Sequence, residues 1–229
     1  MNIIYRISDA GYNKVKPEYI NNENCLKNSI NIFNKENWLI ISDNYSGDLK
    51  QYNKKVQNVT IGHGAGTFNL ALDYALLLND NEIVYFIEND YLHKPDSDKI
   101  LLEGFELGAD YISLYDHPDK YMNVEEGGNP YIEGRGEITK VFLSNSCHWK
   151  LTNSTTMTFA AKVKTLREDE YILREFTKTT HPNDFQMFLA LREKGRSLIT
   201  PLPGYATHGE TAWLTPLINW NDISNNTNV

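Results

Sequence analysis

Glu82-Ile-Val-Tyr-Phe-Ile-Glu88-Asn89-Asp90-Tyr91 is the stretch that decides the fold. Ile83 to Ile87 is an unbroken apolar run of β-branched and aromatic residues. It is too short for a helix and predicts a strand buried on both faces, as in the middle of a parallel sheet. The run stops at two carboxylates, Glu88 and Asp90, with Asn89 between them. Ligands of open α/β sheets bind at the carboxyl ends of the strands, and side chains two apart on an extended segment point the same way. Two acids aimed together repel, so a positive group belongs beside them. A hard divalent cation, Mn²⁺ or Mg²⁺, suits such oxygen ligands and typically also grips a substrate phosphate. The plainer alternative is a strand end carrying solvated acids.

On the N-terminal side, Asn2 to Ile7 predicts a strand ending at Ser8-Asp9, with Arg6 inside it. Asn22 to Phe33 has helical spacing, and Trp38 to Ser42 is a second buried strand, ending at Asp43. Val59 to Ile61 is a minor strand. The loop Gly62-His-Gly-Ala-Gly-Thr67 then leads into a helix over Phe68 to Leu78. That loop lacks the Lys-Ser/Thr pair of a nucleotide P-loop, so its glycines read as a close-packed helix start. Asn69 on this helix faces either the sheet or a ligand. Beyond the central strand, Asp98 to Leu107 predicts a helix and Asp110 to Tyr115 a strand ending at Asp116. The β-α alternation implies a mostly parallel sheet with right-handed crossovers.

The second half is different in character. Asn123 to Gly136 is glycine-rich and poor in apolar residues, the composition of a loose flap. Ile138 to Leu143 and Thr156 to Ala160 are β-like and close enough to pair antiparallel. Leu166 to Phe176 and Phe185 to Lys194 predict helices, the latter capped by Asn183 or Asp184. Pro201 to Trp220 reads as irregular and Asn221 to Val229 as frayed.

The 229 residues fit one domain, with a first half over 1–120 and a second over 121–229. The net charge is −8, and no basic cluster stands out, which disfavours a nucleic-acid partner. Two cysteines without a CxxC pair argue against a zinc site or a disulfide framework. No run spans a bilayer and no signal pattern opens the chain, so a cytoplasmic protein is expected.

Strands ending in acids (Asp9, Asp43, Glu88/Asp90), a mixed second half, an acid-started helix at Asp184 and His208-Gly209 near the end together resemble the GT-A class of glycosyltransferases. The stretches Ile87-Glu-Asn-Asp-Tyr91, His148-Trp149-Lys150 and Thr152 to Ala161 are similar to the small soluble glycosyltransferases of large DNA viruses, the chlorovirus capsid-glycan transferases among them. The resemblance implies a Rossmann-like nucleotide-binding half and a smaller acceptor half. It implies a UDP-sugar donor, a glycan or glycoprotein acceptor, Mn²⁺ or Mg²⁺, and a viral origin in a host cytoplasm. Glu88-Asn89-Asp90 would be the DxD-type motif, departing from it by Glu at the first position. Asp90, Glu88 and His208 would hold the metal. Arg6, Ser8, Asp9, Asp43, Asn69, Glu88 and Asn89 would meet the nucleotide sugar, and His148 and Trp149 would floor the sugar pocket. Asp184 would take the acceptor's proton if the reaction inverts, and position the sugar if it retains. A metal nuclease, a sugar-nucleotide synthase and a non-catalytic glycan-binding module remain as rivals. The synthase is disfavoured because Ser8-Asp-Ala-Gly-Tyr12 is not a basic glycine-rich loop.

Overall fold

The computed structural model describes residues 1–10 and 14–226, so part of the stretch Ser8–Tyr12 and the last residues of the stretch expected to fray lie outside the described residues. Along the chain, β1 (Asn2–Ser8) is followed by α1 (Asn22–Ile32), β2 (Asn37–Asp43), β3 (Lys55–Val59), α2 (Gly64–Leu76) and β4 (Ile83–Glu88). Next come β5 (Tyr91–His93), α3 (Ser97–Glu106), β6 (Tyr111–Ile112), β7 (Val141–Leu143), β8 (His148–Leu151) and β9 (Phe159–Lys162). The chain closes with α4 (Val163–Glu175), α5 (Asp184–Glu193), β10 (Leu198–Leu202), β11 (Ala206–His208) and α6 (Trp220–Asn226). These elements form two compact units, each drawing on both halves of the sequence. The first is Met1–Lys14, Phe33–Asn89 and Asn153–Ser197; the second is Val15–Ile32, Asp90–Thr152 and Leu198–Val229.

In the first unit the strand order is β3-β2-β1-β4-β9. β1 runs parallel to β2 and to β4, and β2 parallel to β3, as the β-α alternation predicts. The apolar runs Ile3–Tyr5, Trp38–Ile41 and Val84–Ile87 are buried, and burying each such side chain contributes about 1.5–3 kcal/mol. Phe68 of α2, Phe86 of β4, Phe159 of β9 and Phe188 of α5 form a chain of ring contacts at 5.3 to 5.4 Å. These tilted and edge-on pairs join α2 and α5 to one face of the sheet.

β9 departs from expectation. The segment near Thr156–Ala160 does not pair with the Ile138–Leu143 strand; β9 pairs antiparallel with β4, with Phe86 opposite Phe159. β4 has β1 on one edge, and its other edge can be filled by a segment from anywhere in the chain, so closeness in sequence does not choose the partner.

In the second unit, β6-β10-β8-β7 form a mixed set. β10 is parallel to β6 and antiparallel to β8, and β7 is antiparallel to β8. A separate antiparallel ladder joins β5 to β11, with Tyr91 opposite His208 and His93 opposite Ala206. The stretch Pro201–Trp220 is therefore only partly irregular, and α6 continues through residues 221–226, which were expected to fray. The Pro201–Trp220 stretch holds the end of β10, the whole of β11 and the start of α6, where Trp220 packs with Ile20, Cys25 and Leu92 in one buried cluster. The Asn28 side chain docks α1 on β5, accepting the His93 N–H at 2.7 Å and donating to its carbonyl at 3.0 Å. Burial pushes the His93 imidazole down to about 3, so it stays neutral in the folded protein.

The glycine-rich flap packs at two points. Asn129 and Ile132 are buried, and Asn123 and Glu126 close a capping box. Gly127, with φ of 92°, ends that turn.

Candidate active site

The β5–β11 ladder sets the geometry of the first cluster. His208 stands opposite Tyr91 in this ladder, and its ring reaches Asp90, the residue just before β5. His208 Nε2 lies 3.4 Å from Asp90 Oδ2. Lys16 Nζ lies 3.0 Å from the same oxygen. Asp90 and His208 are each only 8% exposed. The imidazole is walled by Tyr91 at 5.4 Å and Tyr115 at 6.2 Å, ring centre to ring centre. Tyr115 in turn contacts His117, which contacts Trp213. Tyr115 Oη donates to the Trp213 carbonyl at 2.5 Å, which ties the segment after β11 to the aromatic wall.

Gly209 makes this approach possible. A Cβ there would stand 2.8 Å from the Asp90 carbonyl oxygen and 3.1 Å from Asp90 Cβ. Only a residue without a side chain lets the backbone pass so close to Asp90.

The donor set matches a hard divalent ion. Among the described residues, no three or more His, Cys, Asp and Glu side chains come together as a metal cluster. Mg²⁺ and Mn²⁺ sites need fewer protein groups, because such ions keep waters and are held by one or two carboxylates plus substrate phosphates. Mn²⁺ also accepts imidazole. Neighbouring positions on an octahedral ion with bonds near 2.1 Å are about 3 Å apart. The 3.4 Å between Asp90 Oδ2 and His208 Nε2 is close to that.

Glu88 and Asn89 end the middle segment of the first unit. Glu88 is opposite Arg6 in the parallel register of β1 and β4, and its Oε1 lies 3.3 Å from Arg6 Nη2. The Glu88 N–H donates to Thr158 Oγ1 at 3.0 Å. Arg6 is buried and also donates to the Gly64 and Met157 carbonyls, both at 3.1 Å, joining β1 to α2 and to the segment before β9. Asn89 donates to the Ser8 carbonyl at 3.1 Å, closing the ends of β1 and β4 together. Asp9 is exposed and accepts the Ser46 N–H at 2.8 Å.

Asp43, 2% exposed, accepts the Ile61 N–H at 2.7 Å and the Gly62 N–H at 2.8 Å. Its carboxylate thus shapes the loop that leads into α2. There His63 is the N-cap and accepts the Gly66 N–H at 3.0 Å. Asp43→Ala is expected to lower unfolding free energy by about 1–2 kcal/mol in urea denaturation, because two backbone donors lose their acceptor. Unchanged stability would show that water replaces the carboxylate fully.

Asn69 exchanges hydrogen bonds with Thr177, donating to its carbonyl at 3.1 Å and accepting from its hydroxyl at 3.0 Å. Asn183, rather than Asp184, caps α5. Asp184 accepts the Phe185 N–H at 2.7 Å and is half-buried.

In the second unit, His148 is exposed on β8, while Trp149 is fully buried against Gly104 of α3, with its indole N–H on Ser144 Oγ at 3.0 Å. Next to Trp149 is a charged network absent from the sequence reading. Lys150, 3% exposed, lies 3.0 Å from Asp116 Oδ1 and 3.4 Å from Glu137 Oε2. Its ammonium also donates to Tyr121 Oη at 2.9 Å, and Tyr121 donates to Asp116 Oδ2 at 2.7 Å. Burial, then the nearby Asp116, pushes the Tyr121 hydroxyl up to about 12. Lys120 and His117 pair with Asp119 at 3.1 and 2.9 Å. Burial depresses His117 below the usual histidine range despite that carboxylate. Asp116 ends the Asp110–Tyr115 strand prediction, but its partners lie up to 34 residues away, at Lys150.

No family model matches this chain, and no curated protein matches it. Solved structures do. GalNAc-T7, crystallised with UDP, GalNAc and Mn²⁺, aligns over 90% of this chain and 42% of its own, at 10% identity and a TM-score of 0.59. S. aureus TarS aligns over 87% of this chain and 57% of its own, at 14% identity and a TM-score of 0.50. A197 from STIV aligns over 91% and 85%, at 15% identity and a TM-score of 0.45. This chain thus spans well under two thirds of the GalNAc-T7 and TarS chains. At such identities the likeness is one of fold, and the fold of this chain is the GT-A fold of glycosyltransferases.

Proposed function

We propose that this protein is a metal-dependent glycosyltransferase that moves a sugar from a UDP-sugar to a hydroxyl of a glycan or glycoprotein. The observation that carries the reading is the meeting of Asp90 and His208 at 3.4 Å, on a chain whose fold is shared with a protein crystallised with UDP, GalNAc and Mn²⁺.

Asp90 through Oδ2 and His208 through Nε2 are the groups that would hold Mn²⁺ or Mg²⁺. A divalent ion bound there supplies Lewis-acid neutralisation of the charge that builds on the departing UDP. The ladder between β5 and β11 holds both side chains in place beforehand, so little reorganisation accompanies cleavage of the sugar–phosphate bond. In the first unit, Ser8, Asp9 and the loop shaped by Asp43 are assigned to the nucleoside, and Glu88 and Asn89 keep the ends of β1 and β4 in register. Asp184, at the start of α5, is assigned the acceptor: with inversion it takes the hydroxyl proton, and with retention it positions the sugar.

The test is a thermal-shift panel of UDP-glucose, UDP-galactose, UDP-GlcNAc, UDP-GalNAc and GDP-mannose, each with Mn²⁺ and with EDTA. One UDP-sugar at about a hundred times its Kd is expected to raise Tm by about 5–10 °C with Mn²⁺. A panel without any shift from a UDP-sugar would sink the reading. An equal shift in EDTA would remove the metal from it.

A further inference from the structure

Asp90 Oδ2 is shared by two groups of this chain, His208 Nε2 at 3.4 Å and Lys16 Nζ at 3.0 Å. We propose that Lys16 is an internal counter-ion that holds the metal-facing oxygen of Asp90 in the free protein and makes metal binding depend on the nucleotide. The proposal rests on the assignment of Asp90 and His208 as the groups that hold the divalent cation.

The physical case begins with charge. Asp90 carries one negative charge and the Lys16 ammonium one positive charge, so a cation arriving alone meets a carboxylate already neutralised. It must displace the ammonium from Oδ2, since two cations on one oxygen repel. A nucleoside diphosphate changes that balance. It brings negative charge for the metal and offers the displaced ammonium a second anion, so metal and nucleotide favour each other through Lys16.

The geometry allows the exchange. Lys16 stands on a segment without regular structure, and its side chain is 32% exposed. Asp90 is fixed by comparison, with an 11% exposed side chain flanked by the β5–β11 ladder. The Lys16 segment is also tied to the residues after His208. The Val15 carbonyl accepts the Thr211 N–H at 2.8 Å and its hydroxyl at 3.0 Å. The backbones on either side of the oxygen are thereby joined, while the long lysine side chain keeps its freedom. An ammonium on a flexible four-carbon stem suits a cation that must change partners, whereas a guanidinium fork would favour one fixed pairing.

The experiment is calorimetric titration of MnCl₂ into the full chain, with and without saturating UDP, for wild type, Lys16→Met, Lys16→Arg and Asp90→Asn. Lys16→Met is expected to bind Mn²⁺ alone about fivefold more tightly than wild type, the size of one partly exposed ion pair. The gain in Mn²⁺ affinity caused by UDP should shrink by a similar factor. Lys16→Arg, which keeps the charge, should retain the weak binding of metal alone, and melting curves report that each variant is folded. If Lys16→Met binds Mn²⁺ no more tightly than wild type while Asp90→Asn abolishes binding, the counter-ion role is overturned and the metal site stands. If Asp90→Asn binds as wild type does, or wild type binds no Mn²⁺ even with UDP, the metal assignment falls and Lys16 falls with it.

Discussion

Asp90→Asn is expected to cut sugar transfer by about 10³-fold, comparable to or beyond the loss of a single preorganised group that stabilises developing charge. The substitution keeps the shape of the side chain and removes the charge that attracts the cation. Its secondary effects are small. Asp90 makes its charged contacts with Lys16, which is partly exposed, and with His208, so the melting temperature of the free protein should move by only a degree or two. The Mn²⁺-dependent part of the thermal shift with UDP-sugar should disappear. Radiolabelled or mass-spectrometric sugar transfer at saturating donor measures the first effect, and a melting curve the second. Wild-type turnover in Asp90→Asn would show that the meeting of Asp90 and His208 is structural, and the functional reading would lose its main support.

Lys150→Met is expected to destabilise the protein by about 3–5 kcal/mol, the usual cost of removing one partner from a buried ion pair. Lys150 and Asp116 are both almost fully buried, and Glu137 is close by. Without the ammonium, two carboxylates are left in a dry environment, and Tyr121 loses a donor. Methionine fills most of the space, so the loss measures charge rather than a cavity. Urea unfolding gives the magnitude. The double variant Lys150→Met/Asp116→Asn should be less destabilised than the sum of the single changes, because the stranded charge is gone. Strict additivity would show that the pair is not coupled, and a loss under 1 kcal/mol would show that water reaches the network.

The legible parts of the fold were the long ones. Ile83–Ile87 announces β4 by composition alone, and the helical spacing around Leu26, Ile30 and Phe33 announces α1. β5 and β11, of three residues each, are below the length at which periodicity exists. Their presence follows from tertiary pairing, as when Ala206–His208 finds Tyr91–His93 across more than a hundred residues. β10 was hidden by Pro201 and Pro203, which argue against a strand in a local reading.

The candidate site divides in the same way. His208 is marked only by the resemblance to GT-A glycosyltransferases, whereas Asp90 could be marked because it follows a central strand. Asp43 looked the same, yet it accepts two loop N–H groups, and no sequence signal separates an acid that shapes a loop from one that waits for a ligand. Glu88 meets Arg6 because β1 and β4 pair in one register, and register is invisible before the pairing is known. Lys16 could not be found from sequence, since a lone lysine in a loop has no pattern.

The chain passes back and forth between its two units, leaving the first after Lys14, Asn89 and Ser197 and returning to it at Phe33 and Asn153. This has a consequence for synthesis at the ribosome. The first unit lacks the strand and helices of Asn153–Ser197 until those residues have emerged, and the second waits longer, for the segment that begins at Leu198. Domains that are continuous in sequence fold one after another as they are made. Here the strongly apolar β4 must wait for its antiparallel partner β9, which begins only at Phe159. A stop anywhere before residue 198 leaves both units unfinished, so truncated products should be captured by chaperones or degraded rather than accumulate as half-proteins.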